Sequence, residues 1–168
     1  MNRFLGCLFG CMVFFGFSQQ NLGSSFVDVN YFKGNIPLHN SDILHLIKGH
    51  PEGIILGWNK RTNGKKEWQQ RYNYPDYGAS FMYQDLKSEV LGNTFGFYGH
   101  FNFYFFKRRL MLRVGQGIVV ASNPYDKNSN PKNIAFGSKL LGSPYLMLNY
   151  KKPNLLGPIG LQTGLVFF

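Results

Sequence analysis

The chain has 168 residues, with Lys+Arg 18 against Asp+Glu 8 for a formal net charge of +10, and it is only 15% charged but 17% aromatic. A soluble domain carries about 25% charged residues and a disordered one few aromatics, so the composition excludes a disordered tail and fits a single domain. Beyond the leader no apolar run approaches the roughly 18 residues that span a bilayer as a helix, which leaves a globular or membrane β protein.

Met1-Asn2-Arg3 is a short positive segment, Phe4 to Phe17 is apolar and of signal-peptide length, and Gly16-Phe17-Ser18 supplies small residues where a leader is cut. Residues 1–18 are therefore expected to be a signal peptide, and residues 19–168 an exported domain of the cell outer membrane. Both cysteines, Cys7 and Cys11, fall in that leader, so the mature chain is expected to hold no disulfide.

Seven strands follow from period-two patterning and turn chemistry. The first is Phe26 to Phe32, the second Gly53 to Lys60, the third Tyr74 to Gln84. Between the first two, Asn40, Ser41 and Asp42 are candidate caps for a helical turn or two ahead of Ile43, Leu44, Leu46 and Ile47. Thr62-Asn63-Gly64-Lys65 holds the Asn-Gly pair of a tight turn.

The fourth strand, Asn93 to Phe106, is the clearest. Phe95, Phe97, Gly99, Phe101, Phe103 and Phe105 share one parity, and Gly96, Tyr98, His100, Asn102 and Tyr104 the other. One face is almost wholly aromatic and the other polar or tiny. A run of this length exceeds the usual five or six residues of a globular strand and suits a tilted transmembrane one.

Lys107-Arg108-Arg109 then reverses the chain into a fifth strand, Leu110 to Ala121. A sixth covers Ile134 to Tyr150, where Pro144 removes a ladder donor and predicts a bulge or an edge. Lys151-Lys152-Pro153-Asn154 is read as the turn into a seventh strand, Ile159 to Phe168. The long or polar links 33–52, 85–92 and 122–133, against short ones at Lys107 and Lys151, follow the outer-membrane pattern of long outer loops and short periplasmic turns.

The fold expected is an all-β, antiparallel outer-membrane-type β-barrel, incomplete at about seven strands. Bacterial single-chain barrels use even numbers, and an open sheet in lipid leaves unpaired backbone. The chain is accordingly expected to be the N-terminal part of a longer protein. A soluble β-sandwich or lipocalin-like carrier, with the phenylalanines between two layers, is the competing architecture.

Several segments resemble a known family. Val27-Asp28-Val29-Asn30-Tyr31-Phe32, His45 to Gly53, Arg71-Tyr72-Asn73-Tyr74-Pro75-Asp76-Tyr77-Gly78, Gly99 to Phe105, Gly115-Gln116-Gly117, Asn123-Pro124-Tyr125-Asp126 and Tyr145 to Tyr150 are similar to the acyloxyacyl hydrolase family related to lipid A 3-O-deacylases, in its Bacteroidetes-type form. The resemblance covers nearly all of the chain after the leader. It implies an outer-membrane barrel whose enzymatic relatives are serine-type ester hydrolases of lipid A, acting without a metal.

Family members place a His-x-Ser-Asn motif just after the strand corresponding to Gly160-Leu161-Gln162-Thr163-Gly164-Leu165, with an acidic partner beyond it, and that motif is missing here. Ester hydrolysis of this kind needs a hydroxyl nucleophile, a His, a carboxylate and an oxyanion donor. No catalytic, cofactor-binding or metal-binding residue is therefore assigned. The expectation is a lipid A deacylase-like protein inactive as given; the alternative is a non-catalytic barrel with a structural or binding role.

The remaining polar residues have local readings. His39, His45 and His50 lack the further donors of a metal site. His100 sits on the polar parity and is read as lumen packing. Ser80 and Ser138 have no His at a motif spacing, and Asp76, Asp85 and Asp126 are read as turn or strand-end residues. Lys107-Arg108-Arg109 and Lys151-Lys152 are read as solvated turns, while Lys127, Lys132 and Lys139 are the better contacts for lipopolysaccharide phosphates. The partners expected are lipid A and membrane lipid, with no nucleic acid and no cofactor.

Overall fold

A computed structural model of the chain describes residues 25–36 and 46–168, together with the backbone of residues 16–20. Eight antiparallel strands each pair with their neighbours in sequence, and the first also pairs with the last: β1 (Gly16–Gln20), β2 (Ser25–Lys33), β3 (Glu52–Lys60), β4 (Asp76–Asp85), β5 (Asn93–Phe105), β6 (Leu110–Ala121), β7 (Leu140–Leu156) and β8 (Ile159–Phe167). Seven are long. The short β1 lies between β2 and β8 and brings the sheet round into a barrel.

That seam is sealed only in part. β1 pairs with β8 along Gly16–Gln19, opposite Ile159–Gln162, and among the described residues Thr163–Phe167 of β8 pair with β7 alone. The leader expected over residues 1–18 lies outside the described residues except for Gly16–Ser18, which supply three of the five residues of β1.

The period-two pattern becomes a two-sided wall. β2 and β3 both alternate buried and exposed along their whole length, as does most of β5. The exposed parity carries Val27, Val29, Ile54, Leu56, Trp58, Phe81, Phe95, Phe97, Phe101 and Ile118. The inward parity carries Asp28, Asn30, Asn59, Ser80, His100, Asn102 and Arg113, all at most 3% exposed. A soluble sandwich inverts this arrangement, with apolar side chains inside and polar ones out.

Inward glycines make room for the large groups. At Gly57 a Cβ would sit 2.8 Å from an Arg113 guanidinium nitrogen and 2.9 Å from both Asp28 carboxylate oxygens, and at Gly115 it would run into the Tyr145 ring. Small residues opposite large ones are how a narrow barrel fills its bore without voids.

Three boundaries differ from the sequence reading. The third strand starts at Asp76, because Asn73 and Tyr74 have φ of 57° and 54° and belong to the preceding turn. The sixth begins at Leu140 instead of Ile134, since 134–139 is held in the loop. The reversal expected at Lys151–Asn154 lies within β7, where Asn154 (φ 55°) marks a bulge against β8, and the chain turns at Gly157-Pro158, with Gly157 at φ 61°. Pro144 behaves as expected. It sits on the stretch of β7 that outruns β8, paired to β6 alone among the described residues, so its missing N–H costs no ladder bond on the free side.

The segment 61–75 holds a helix absent from the sequence reading, α1 (Glu67–Arg71). Trp68 and Tyr72, four residues apart, share one helical face and meet Phe101 and Phe103 edge-on at ring separations of 6.3 Å each. The helix thus lies against the outer aromatic face of the barrel. The Asn63-Gly64 turn forms as read, with Gly64 at φ 75° and the Asn63 side chain accepting from the Lys65 amide at 3.2 Å. Of the helical turn or two expected from Asn40 to Ile47, residues 40–45 lie outside the described residues, and of the two that are described Leu46 is buried.

Gly57→Ala is expected to destabilise the barrel by about 1–3 kcal/mol, because the new methyl has rigid charged partners on two sides. Urea unfolding in lipid vesicles checks it; wild-type stability would show that the lumen has slack at this level.

Candidate functional site

The lumen contains one continuous polar network. Arg113 on β6 reaches across the bore to Asp28 on β2 through two parallel bonds, Nη1 to Oδ1 at 3.1 Å and Nη2 to Oδ2 at 2.6 Å, and neither side chain is exposed at all. The forked geometry suits a guanidinium and a carboxylate and fixes both.

Both charges are given further partners. Asn30 and Asn59 donate to the two Asp28 oxygens at 2.6 Å each, and Arg113 Nε donates to Asn102 at 2.7 Å. The Asn59 side-chain oxygen accepts from Arg113 at 3.0 Å and from Asn102 at 2.6 Å, and Gln162 on β8 donates to Asn30. Alternate-residue spacing puts Asp28 and Asn30 on the same face of β2, and His100 and Asn102 on the same face of β5.

His100 and Ser80 extend this network. Ser80 Oγ lies 2.5 Å from His100 Nδ1 and 2.7 Å from the Tyr145 hydroxyl, while His100 Nε2 lies 2.9 Å from Asn59 Oδ1. The sequence reading found no His for Ser80 because the two are twenty residues apart on β4 and β5; strand pairing sets Gly78 opposite His100 and Ser80 opposite Tyr98, which brings them to one level. Serine, histidine and amide stand in a line of the kind used for acyl transfer. A substrate cannot reach it. Ser80 is 1% and His100 3% exposed, the serine hydroxyl is held by both the imidazole and Tyr145, and the third member is an amide. His100 as lumen packing is what this geometry supports.

Lys107, Arg109 and Lys152 are exposed as read, whereas Arg108 and Lys151 fold back onto the barrel. Arg108 folds back over the Tyr104 ring, 3.6 Å from its centroid, and pairs with the buried Asp76 at 2.8 Å; Tyr104 donates to the same carboxylate at 2.6 Å. Lys151 turns inward over the Phe26 and Tyr104 rings at 4.9 and 5.6 Å. These groups plug the turn end of the bore, and Asp76 has a structural ion-pair role there.

At the opposite rim, Lys87 bridges Glu52 at 2.8 Å and Asp85 at 2.7 Å, and these carboxylates, Asp85 first, hold its ammonium above the ordinary lysine range. Asp126 accepts from Ser129 and Asn128, which keeps its carboxyl below the usual range and makes it a loop-closing residue. Ser138 bonds to the Leu140 carbonyl, and His50 to Asn35. Lys127, Lys132 and Lys139 are exposed on the 122–139 loop. Among the described residues no group of three His, Cys, Asp or Glu is placed to hold a metal; His39 and His45 lie outside them.

A model of the lipid A 3-O-deacylase (PagL) family matches residues 52–167. The chain belongs to that family. No curated protein and no solved structure matches it. The family's His-x-Ser-Asn sequence does not occur in the 168 residues; the nearest approach is His39-Asn40-Ser41-Asp42, outside the described residues and well upstream of the family's position for it.

Sequence reasoning missed the Arg113–Asp28 pair, although a signal existed. Arg113 is the single charge between Leu110 and Ala121, Asp28 the single one between Ser25 and Asn30, and both fall on inward parities.

Arg113→Ala should cost about 3–5 kcal/mol, since it strands a buried carboxylate. The paired change Asp28→Leu with Arg113→Met should recover most of that loss. Equilibrium unfolding of the two variants side by side checks this; equal losses would mean that the surrounding amides, not the charges, hold the lumen.

Proposed function

We propose that the chain is an outer-membrane protein of the lipid A deacylase kind that contacts lipid A in the outer leaflet, and that these 168 residues do not themselves hydrolyse an ester. The observation that carries the second part is the sealed position of Ser80 and His100, the single serine–histidine hydrogen bond among the described residues, together with the lack of the family's own motif from the sequence. A non-catalytic barrel with a structural or binding role is the second reading. The fully partnered ion pair across the bore favours it, because it serves stability and offers nothing to a substrate.

Membrane residence is supported by the outward face. Exposed Phe, Val, Ile, Leu and Trp side chains run round β2 to β7, a continuous apolar belt far larger than the few hundred Å2 that a soluble monomer normally leaves uncovered. Around the turn end stand Trp68, Tyr72, Tyr77, Phe101 and Phe103, the girdle of amphipathic rings that barrels keep at a water–lipid boundary.

With residues 1–18 removed as a signal peptide, the domain would begin at Gln19 at the turn end, facing the periplasm. The loops 34–51, 86–92 and 122–139 would then face outward with Lys127, Lys132 and Lys139, where lipopolysaccharide carries its phosphates.

Two measurements test this. Mass spectrometry of lipid A from cells expressing the chain should show every acyl chain retained; an expression-dependent loss of one would overturn the inactivity. Phe97→Arg, at an outward position 60% exposed, should weaken insertion into lipid vesicles by about 2–4 kcal/mol if it lies near the bilayer midplane. Unchanged folding, with the protein soluble without detergent, would remove the membrane reading.

A further inference from the structure

Above the polar network the bore changes character. A cavity of about 590 Å3 opens between the loop-side ends of the strands, with Met82, Tyr98 and Val119 among its strand walls and Leu86, Leu91 and Phe136 beneath the loops. The lining is predominantly apolar. The volume lies within the about 300–1,000 Å3 of small-molecule sites and is several times the roughly 150 Å3 that admits a benzene.

Its roof is built rather than loose. The Asn130 side chain donates to the Val90 and Asn123 carbonyls at 3.0 and 3.1 Å, Asn123 donates to the Glu89 carbonyl at 2.8 Å, and Asn133 accepts from the Ala135 and Phe136 amides at 3.1 and 3.0 Å. The Asn123 and Asn130 bonds tie the 86–92 loop to the 122–139 loop, and the others hold the 122–139 loop to itself.

One polar group in it is unaccounted for. Tyr98 is 1% exposed and lines the cavity, and its hydroxyl, with the Ser143 hydroxyl beside it on the same wall, makes no hydrogen bond of good geometry. A buried hydroxyl without a partner costs about 1–3 kcal/mol, and an apolar void forfeits dispersion contacts besides. Both deficits are met by one kind of occupant: a flexible aliphatic chain bearing a single acceptor.

We propose that this mouth cavity binds one aliphatic chain of an amphiphile such as a long-chain fatty acid, with its carboxyl group accepting from the Tyr98 hydroxyl. The site is interior, distinct from the outward aromatic face, and does not depend on ester cleavage by this chain. The outcome of the lipid A assay therefore leaves it untouched.

The test uses the full chain in phospholipid nanodiscs, free of detergent, with a diazirine-bearing palmitate analogue as probe, and peptide mass spectrometry to locate the label. Labels are expected on Val119, Phe136 and Leu141, lost on Val119→Trp, which fills the void, and kept on Ile118→Trp, which adds the same bulk outside. Labels confined to outward residues such as Phe97 and Ile118, or interior labels that survive Val119→Trp, would overturn the proposal. Should Val119→Trp fail to reach the folded, heat-modifiable form, Tyr98→Phe decides, since it keeps the ring and removes the hydroxyl: reduced interior labelling supports the site, and unchanged labelling overturns it.

Discussion

The Arg113–Asp28 pair is the constraint around which the barrel is arranged. Two full charges sit in a bore with no exposure, and desolvating each costs several kcal/mol unless geometry and further hydrogen bonds repay it. The repayment is visible residue by residue: Asn30, Asn59 and Asn102 face the pair from three strands, and Gly57 leaves the space in which it lies. The pair also fixes register, because a slip of one residue on β2 would turn Asp28 to the outer face and leave Arg113 buried and alone.

That arrangement divides the bore into two environments. The turn half is polar, with Arg108, Asp76 and Lys151 folded in at its end. Toward the loops the walls become Met, Val, Leu and Tyr, and the strands spread around a void. A polar compartment shut off from water is stable only if its donors and acceptors are matched, and the network comes close: the Gln162 oxygen on β8 and the Asn149 oxygen on β7 are left over.

Membership of the lipid A 3-O-deacylase family and a lumen without usable catalytic geometry are compatible. Fold and chemistry are separate properties, so a family match over residues 52–167 does not by itself place catalytic groups in this lumen. The serine–histidine contact inside the bore illustrates the point. Distances alone would pass it as a catalytic pair, and the burial of both side chains assigns it to packing.

Sequence alone determined the parts governed by local rules. The alternation of Asn93 to Phe105 marks a two-faced strand because side chains project to opposite sides at every step, Pro144 marks a free edge because it lacks a donor, and Asn63-Gly64 marks a turn because glycine accepts positive φ. What the sequence left open were matters of long-range pairing. The Asp28–Arg113 contact spans eighty-five positions and Ser80–Tyr145 sixty-five, so no spacing rule reaches them. The α1 helix is too short to declare itself by periodicity and depends on Phe101 and Phe103 beneath it. Lys151 and Arg108 read as solvated charges until the closed wall supplied aromatic faces and a carboxylate to receive them. Period and turn chemistry are properties of neighbouring residues, whereas the partner of a buried charge exists only once the sheet has curled round to provide it.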